Sequence, residues 1–302
     1  MEKQKIIVIL GPTATGKSEL AVKIAKKLAR RGGVGGEIIS ADSRQVYKGL
    51  NIGTGKITKK EMKGILHHLL DVANPKKKFT VAEYQKKAIY AIAEIIKKGK
   101  TPIICGGTGF YIDAITKGTI FPEVPPNLKL RKTLYSKSAI ALFEYLKKLD
   151  PQRAKNIDPK NKVRLVRAIE IAKTLGKVPK PAEELPPYEF IKIGLYLPPD
   201  ELKKKIEKRV KKMFQDGLLN EIKKLKKPVR RGGFGVSEKR LKELGFEYDS
   251  PTYEKVVRET IKYTKRQMTW FKRDKEIHWI KAGDERIELP PTVLETVVLP
   301  LN

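Results

Sequence analysis

Eight consecutive residues, Gly11-Pro12-Thr13-Ala14-Thr15-Gly16-Lys17-Ser18, carry the spacing G-x-x-x-x-G-K-S. Loops of this pattern turn backbone N–H groups toward phosphate oxygens, while the lysine reaches the outer phosphates and the hydroxyl faces Mg²⁺. Gly11, Thr13, Ala14, Thr15, Gly16, Lys17 and Ser18 are therefore candidate ligands of a phosphate or diphosphate, with Ser18 the candidate metal ligand. The loop alone does not say which compound carries the phosphate. A second group lies in Ser40-Ala41-Asp42-Ser43-Arg44-Gln45. At the mouth of a phosphate site, Asp42 can hold Mg²⁺ through water or act as a general base. A third run, Gly106-Gly107-Thr108, allows a backbone to approach a ligand closely.

Further along, Arg164 and Arg167 stand three apart on one side of a helical pattern. Lys265-Arg266-Gln267-Met268-Thr269-Trp270-Phe271-Lys272-Arg273 mixes cations with an amide and aromatics. Cations meet phosphates, whereas amides and indoles bond to or stack on bases. His67 and His68 are adjacent, so they do not share a helix face, and no cysteine pair accompanies them; a metal site there is not expected.

These residues need elements to position them. Residues 6–10 form an unbroken apolar run, expected as a buried parallel strand, and 18–30 follow with helical spacing. Residues 37–42 and 101–105 read as further strands, each ending in a polar or glycine-rich turn. Between them, 81–98 reads as a helix capped by Thr80, with Glu83 completing a capping box. Alternation of strand and helix implies a parallel sheet, whose ligands sit beyond the carboxyl ends of the strands. That reasoning draws Lys17, Asp42 and Thr108 to one edge. The pattern changes at Phe121-Pro122-Glu123-Val124-Pro125-Pro126, after which residues to about 177 read as helices until a proline-rich stretch at 178–187. Residues 190–197 return as a strand, 199–216 as a charged helix carrying Arg209 and Met213, and 253–272 as a basic, aromatic helix. The expected organisation is an α/β core of P-loop type, a parallel sheet flanked by helices, over 1–117 and 188–302, with an all-helical inserted subdomain at 118–187.

The chain has 302 residues with 65 Lys+Arg against 34 Asp+Glu, a net charge of +31. A field of that size favours a polyanionic partner and salt-dependent binding. The single cysteine, Cys105, excludes an internal disulfide, fits a reducing cytoplasm and lies within a strand pattern, where a buried thiol is expected. No apolar run approaches a membrane span, and Met1–Lys5 leads straight into the first strand, so a cytoplasmic protein without a leader is expected.

Taken together, the phosphate loop, Ile38–Tyr47, Asn51-Ile52-Gly53-Thr54, His68-Leu69-Leu70-Asp71, Gly106-Gly107-Thr108, Arg164–Glu170 and Lys265–Phe271 resemble, in order, the segments of the tRNA dimethylallyltransferase (IPP transferase) family. The resemblance covers most of the chain. It implies transfer of a dimethylallyl group from dimethylallyl diphosphate to the exocyclic amine of the adenosine 3′ to the anticodon. It implies that Lys17, Ser18 and Arg209 hold the diphosphate with Mg²⁺, that Asp42 is the general base, and that Thr108 lines the reaction channel. It implies tRNA contacts at Asp42, Ser43, Arg44, Gln45, Thr108, Arg131, Arg164, Arg167, Lys265, Arg266, Gln267, Thr269, Trp270 and Lys272, with the helical insert gripping the anticodon arm of the RNA. A monomer is expected. The chain departs from the family pattern at Ile261, where many relatives carry Arg, at Asp158-Pro159-Lys160-Asn161, and at Leu244-Gly245-Phe246. From the residues alone, two other readings stand beside this one: a P-loop kinase of a small metabolite, and a non-catalytic RNA-binding protein.

Overall fold

The computed structural model describes residues 3–30, 34–180 and 182–283. In chain order the elements are β1 (Gln4–Leu10), α1 (Lys17–Arg30), β2 (Gly36–Ser40), α2 (Lys59–Met62), β3 (His67–His68), α3 (Val81–Lys97), β4 (Thr101–Gly106), α4 (Gly109–Thr116), β5 (Thr119–Ile120), α5 (Leu128–Tyr135), α6 (Ala139–Leu149), α7 (Pro151–Lys155), α8 (Lys162–Leu175), β6 (Ala182–Glu183), β7 (Tyr188–Tyr196), α9 (Pro199–Gln215), α10 (Leu218–Lys226), α11 (Glu238–Leu244), α12 (Tyr253–Phe271) and β8 (His278–Lys281). They divide into two compact units, Met1–Lys117 with Leu185–Asn302, and Gly118–Glu184.

The larger unit holds a six-stranded sheet in the order β3-β2-β4-β1-β7-β8. Each of its strand pairs is parallel, with Ile7 opposite Ile103 and Ile191, and Ile38 opposite Ile103. Parallel strands are covered on both faces, which is why β1 is apolar throughout rather than alternating. Its even residues, Ile6, Val8 and Leu10, join Ile39, Ile104 and the apolar stripes of α3 and α4 in one buried cluster. Its odd residues, Ile7 and Ile9, join Ile38, Ile103, Ile193 and the α1 stripe of Leu20, Ile24 and Leu28 in another. The capping box on α3 forms as read: the Thr80 hydroxyl accepts the Glu83 N–H, and the Glu83 carboxylate accepts the Thr80 N–H at 2.8 Å.

The smaller unit packs α5, α6, α7 and α8 around Leu134, Leu142, Leu146, Leu165 and Ile169. It also contains a two-stranded antiparallel ribbon, in which Thr119 pairs with Glu183 and Ile120 with Ala182. An entirely helical insert was expected; the ribbon arises where the two proline-bordered ends of the segment run alongside each other. Among the described residues, no helix is long and apolar enough to cross a membrane.

Candidate active site

The sheet order brings three loops side by side. β4 lies between β2 and β1. The carboxyl ends of these strands therefore deliver Asp42, the Gly106–Thr108 turn and the phosphate loop to one edge. The turn is stitched to its neighbour through backbone bonds from Ala41 N to Cys105 O (2.8 Å) and from Thr108 N to Ala41 O (3.1 Å). A Cβ at Gly106 would collide with the Ala41 carbonyl, so only glycine permits this approach.

The phosphate loop has the backbone its sequence requires. Gly11, Ala14 and Gly16 have φ of 137°, 68° and 86°. Such angles let successive N–H groups face inward as an anion-binding nest. A cavity of about 450 Å³ opens over the loop, and Thr13, Ala14, Gly16, Lys17, Ser18, Asp42, Gln45, Gly107 and Arg209 are among the residues that line it. Gly11 and Thr15 do not line it; the buried Thr15 hydroxyl donates instead to the Pro12 carbonyl at 2.9 Å.

Two cations converge on the cavity from distant parts of the chain. The Lys17 ammonium donates to the Pro12 carbonyl at 2.6 Å, and burial pulls its pKa down to about 8. The Arg209 guanidinium arrives from the middle of α9 and donates to the Thr54 carbonyl at 2.9 Å. Burial also lowers the Arg209 pKa, against the opposing pull of Asp42. Two partly desolvated cations facing one cavity are costly without an anion between them. A diphosphate would supply it.

The acidic side is equally ordered. Asp42 Oδ1 accepts the Arg44 N–H at 2.8 Å and the Gln45 N–H at 3.2 Å. Those bonds fix the carboxylate as the head of an Asx-type turn and leave Oδ2 for other work. Thr108, at the N-cap of α4, makes no capping bond; its hydroxyl accepts the Ser43 N–H at 3.0 Å, tying the two loops together. Gln45 extends away to the carbonyls of Thr54 (3.4 Å) and Gly55 (3.5 Å). Glu247, which the sequence reading did not single out, also feels this cluster. Burial raises its carboxyl to about 7, with Asp42 adding to the rise and Arg44 and Arg209 opposing it. Half-buried Tyr263 is pushed up to about 12, chiefly by desolvation and then by Asp42.

Several expected RNA contacts are employed otherwise. Gln267 is buried, and both ends of its amide are used inside the protein: Oε1 accepts the Thr13 N–H at 3.0 Å, and Nε2 donates to the Gly107 carbonyl at 2.8 Å. It clamps the phosphate loop to the glycine turn, which corrects the expectation that this amide is offered to a base. The Trp270 indole N–H donates to Asp113 at 3.2 Å, and its ring stands edge-on to Phe110 and covers Gly109. The Thr269 hydroxyl donates back to the Lys265 carbonyl. Lys265, Arg266 and Lys272 remain on the exposed surface of α12 and its cap, with Arg266 over the Tyr263 ring. In the smaller unit, Arg131 donates to both oxygens of buried Glu170, at 2.9 and 2.7 Å, and Arg167 donates to Glu170 at 2.6 Å and to the Val124 carbonyl at 2.9 Å. Both arginines thus satisfy a carboxylate that would otherwise be buried alone, while Arg164 is exposed. Periodicity places residues on a helix face, and only packing shows which of them are already paired.

His67 Nδ1 bonds to the Ile65 carbonyl and His68 Nε2 to Glu37, and no cluster of metal-ligating side chains occurs among the described residues. Cys105 is a buried strand thiol raised to about 11, chiefly by burial, on the wall of the cavity.

A parallel α/β sheet with a phosphate loop at one strand end and a carboxylate at the next defines a P-loop-type, phosphate-handling protein. The particular family follows from comparison. The IPP transferase family model matches residues 45–274, and the chain belongs to that family. It is 38% identical to a tRNA dimethylallyltransferase of Anoxybacillus flavithermus, with 94% of this chain and 92% of that protein covered. It is 39% identical to a tRNA dimethylallyltransferase of Halothermothrix orenii, with 94% and 90% covered. Among solved structures it resembles the tRNA isopentenylpyrophosphate transferase of Bacillus halodurans, with a TM-score of 0.65, 35% identity, and 98% and 95% coverage. It also resembles a eukaryotic dimethylallyltransferase acting on tRNA, with a TM-score of 0.76, 26% identity, and 97% and 78% coverage.

Proposed function

We propose that this chain is a tRNA prenyltransferase that moves a dimethylallyl group from its diphosphate to the exocyclic amine of the adenosine 3′ to the anticodon. The observation that carries the reading is the cavity in which Lys17, Arg209 and the loop amides face Asp42 across about 450 Å³. The nitrogen lone pair attacks the allylic carbon, the C–O bond to the diphosphate breaks, and the leaving group keeps its electron pair. Negative charge then grows on the oxygens nearest Lys17 and Arg209, where fixed cations and N–H groups stabilise it most. The amine proton passes to Asp42, a step worth about 10²–10⁴-fold. The Asx turn under Asp42 Oδ1 keeps Oδ2 available for that proton.

Ser18 fits a magnesium ion of the kind that phosphates bring with them. Mg²⁺ in phosphate sites takes few protein ligands and fills its remaining positions with substrate oxygens and water, so the Ser18 hydroxyl on the cavity wall would be one ligand, with the Asp42 carboxylate on the same cavity. Its chemistry would be added charge neutralisation of the departing diphosphate. The target base has to leave its stack, at a cost of a few kcal/mol, and an anticodon loop meets that requirement because loop bases splay out readily. The exposed cations Lys265, Arg266 and Lys272, with Arg164 of the smaller unit, supply salt-dependent grip on the RNA backbone, in keeping with the net charge of +31. The enzyme works as a monomer in the cytoplasm on this reading. The test is incubation with unmodified tRNA and labelled dimethylallyl diphosphate: label on the adenosine 3′ to the anticodon supports the proposal, and turnover of ATP in place of the isoprenoid overturns it.

A further inference from the structure

Arg209 is effective only if its guanidinium is held over the cavity, and among the described residues its side chain hydrogen-bonds a single carbonyl, Thr54 O. That carbonyl belongs to the 51–55 loop, which is not part of any helix or strand. What shapes the loop comes from elsewhere. The Glu221 carboxylate, on α10, accepts three successive backbone N–H groups: Asn51 and Ile52 on Oε2 at 2.9 and 2.8 Å, and Gly53 on Oε1 at 3.1 Å. The Tyr248 hydroxyl donates to Oε1 at 3.0 Å. Burial and the neighbouring Glu221 push the Tyr248 phenol well up, so it remains a donor. Four donors saturate one carboxylate. A Cβ on Gly53 would come within 2.7 Å of the Tyr248 ring, so the close approach requires glycine. With this turn fixed, the chain closes through Gly55 N to Ile52 O (2.9 Å) and Lys56 N to Asn51 O (2.8 Å), and the Thr54 carbonyl faces inward. Gly55, at φ 56°, lies directly against the guanidinium, where any side chain would collide with it. Gln45 reaches the same Thr54 carbonyl and the neighbouring Gly55 carbonyl.

We propose that Glu221 is a positioning residue for Arg209: its carboxylate folds the 51–55 turn into the seat that holds the guanidinium over the diphosphate. Glu221 does not line the cavity and touches no reacting atom. A negative acceptor is needed because three N–H dipoles converge on it. In Glu221→Gln the amide keeps one oxygen and turns its NH₂ toward donors, so the turn opens and Arg209 loses its fixed partner.

The inference rests on the reading of the cavity as a diphosphate site, and a double-mutant cycle separates the two. Affinity for inorganic diphosphate is measured by calorimetry on the wild type, E221Q, R209A and the double variant, with thermal unfolding as a check that each is folded. E221Q is expected to weaken binding about tenfold to a hundredfold, by analogy with the loss of groups that orient metal-ligating side chains. The double variant is expected to match R209A within about twofold, because once Arg209 is absent there is nothing left to position. Losses that multiply overturn the role of Glu221. An R209A variant with unaltered diphosphate affinity overturns the reading of the cavity itself, and the inference with it. Should E221Q fail to fold, Tyr248→Phe removes one of the four donors and leaves the charge; its smaller loss must likewise vanish in the R209A background, and a loss that persists there counts against the proposal.

Discussion

Prenyl diphosphate binding should draw a proton from solution at mildly alkaline pH. In the empty protein Lys17 has its pKa lowered to about 8 from the usual 10.5, with burial the largest cause. A diphosphate over the loop places negative charge beside the ammonium and restores the charged form. Below about pH 8 Lys17 is charged with or without ligand, and affinity owes nothing to this group's titration. Above it the empty site is neutral and binding must bring a proton with it, so affinity falls with rising pH. From about pH 7 to about pH 9 the loss works out to about tenfold, and at about pH 8.5 binding takes up about three-quarters of a proton. The ceiling, reached if bound Lys17 returns to its ordinary value, is about 300-fold. Calorimetric titration with the diphosphate in two buffers of different ionisation heat counts the proton directly. Lys17→Arg is the control, because a guanidinium does not titrate in this range, whereas the ligand's own titration is common to both proteins. Equal pH slopes for wild type and K17R, or no proton uptake at about pH 8.5, would refute the reasoning.

Three further outcomes follow from the site. Asp42→Ala should abolish prenyl transfer while tRNA binding persists in a filter or gel assay; undiminished transfer removes Asp42 as the base. Lys265→Ala with Arg266→Ala should weaken tRNA binding and flatten the dependence of log Kd on log salt by about two phosphate contacts, and an unaltered slope contradicts the assignment. Gln267→Glu sets a carboxylate against the Gly107 carbonyl in place of a donor, and should cost about 1–3 kcal/mol of stability in denaturant unfolding, because a buried amide clamp is broken. Unaltered stability, with tRNA affinity reduced instead, would return Gln267 to the RNA surface.

The phosphate loop, the strand that precedes it and the helix that follows are visible in the chain because local rules suffice for them. A continuous apolar run marks a strand covered on both faces, glycines mark the positive-φ positions, and a capping box marks where α3 begins. The convergence of Lys17, Asp42 and Thr108 was also accessible, because parallel topology directs strand ends to one edge. Arg209 could be singled out only through likeness to a family, since one arginine among the many charges of α9 carries no local signal. Glu221 and Glu247 carried none either: each acquires its significance from groups far away in the chain. Gln267 marks the opposite limit, where residue type suggested contact with RNA and packing uses both ends of the amide inside the protein.

By itself, then, the order of residues determined which segments become strands and helices, where a phosphate can be cradled, and that the partner is a polyanion, because these depend on spacing, on backbone freedom and on summed charge. Only the tertiary structure decided which polar side chains remain available to a ligand. A carboxylate that gathers three amides, an amide that bridges two loops, or a guanidinium seated on one carbonyl is a contact between residues distant along the chain, and the energy of a polar group depends on what lies within about 3 Å of it in space.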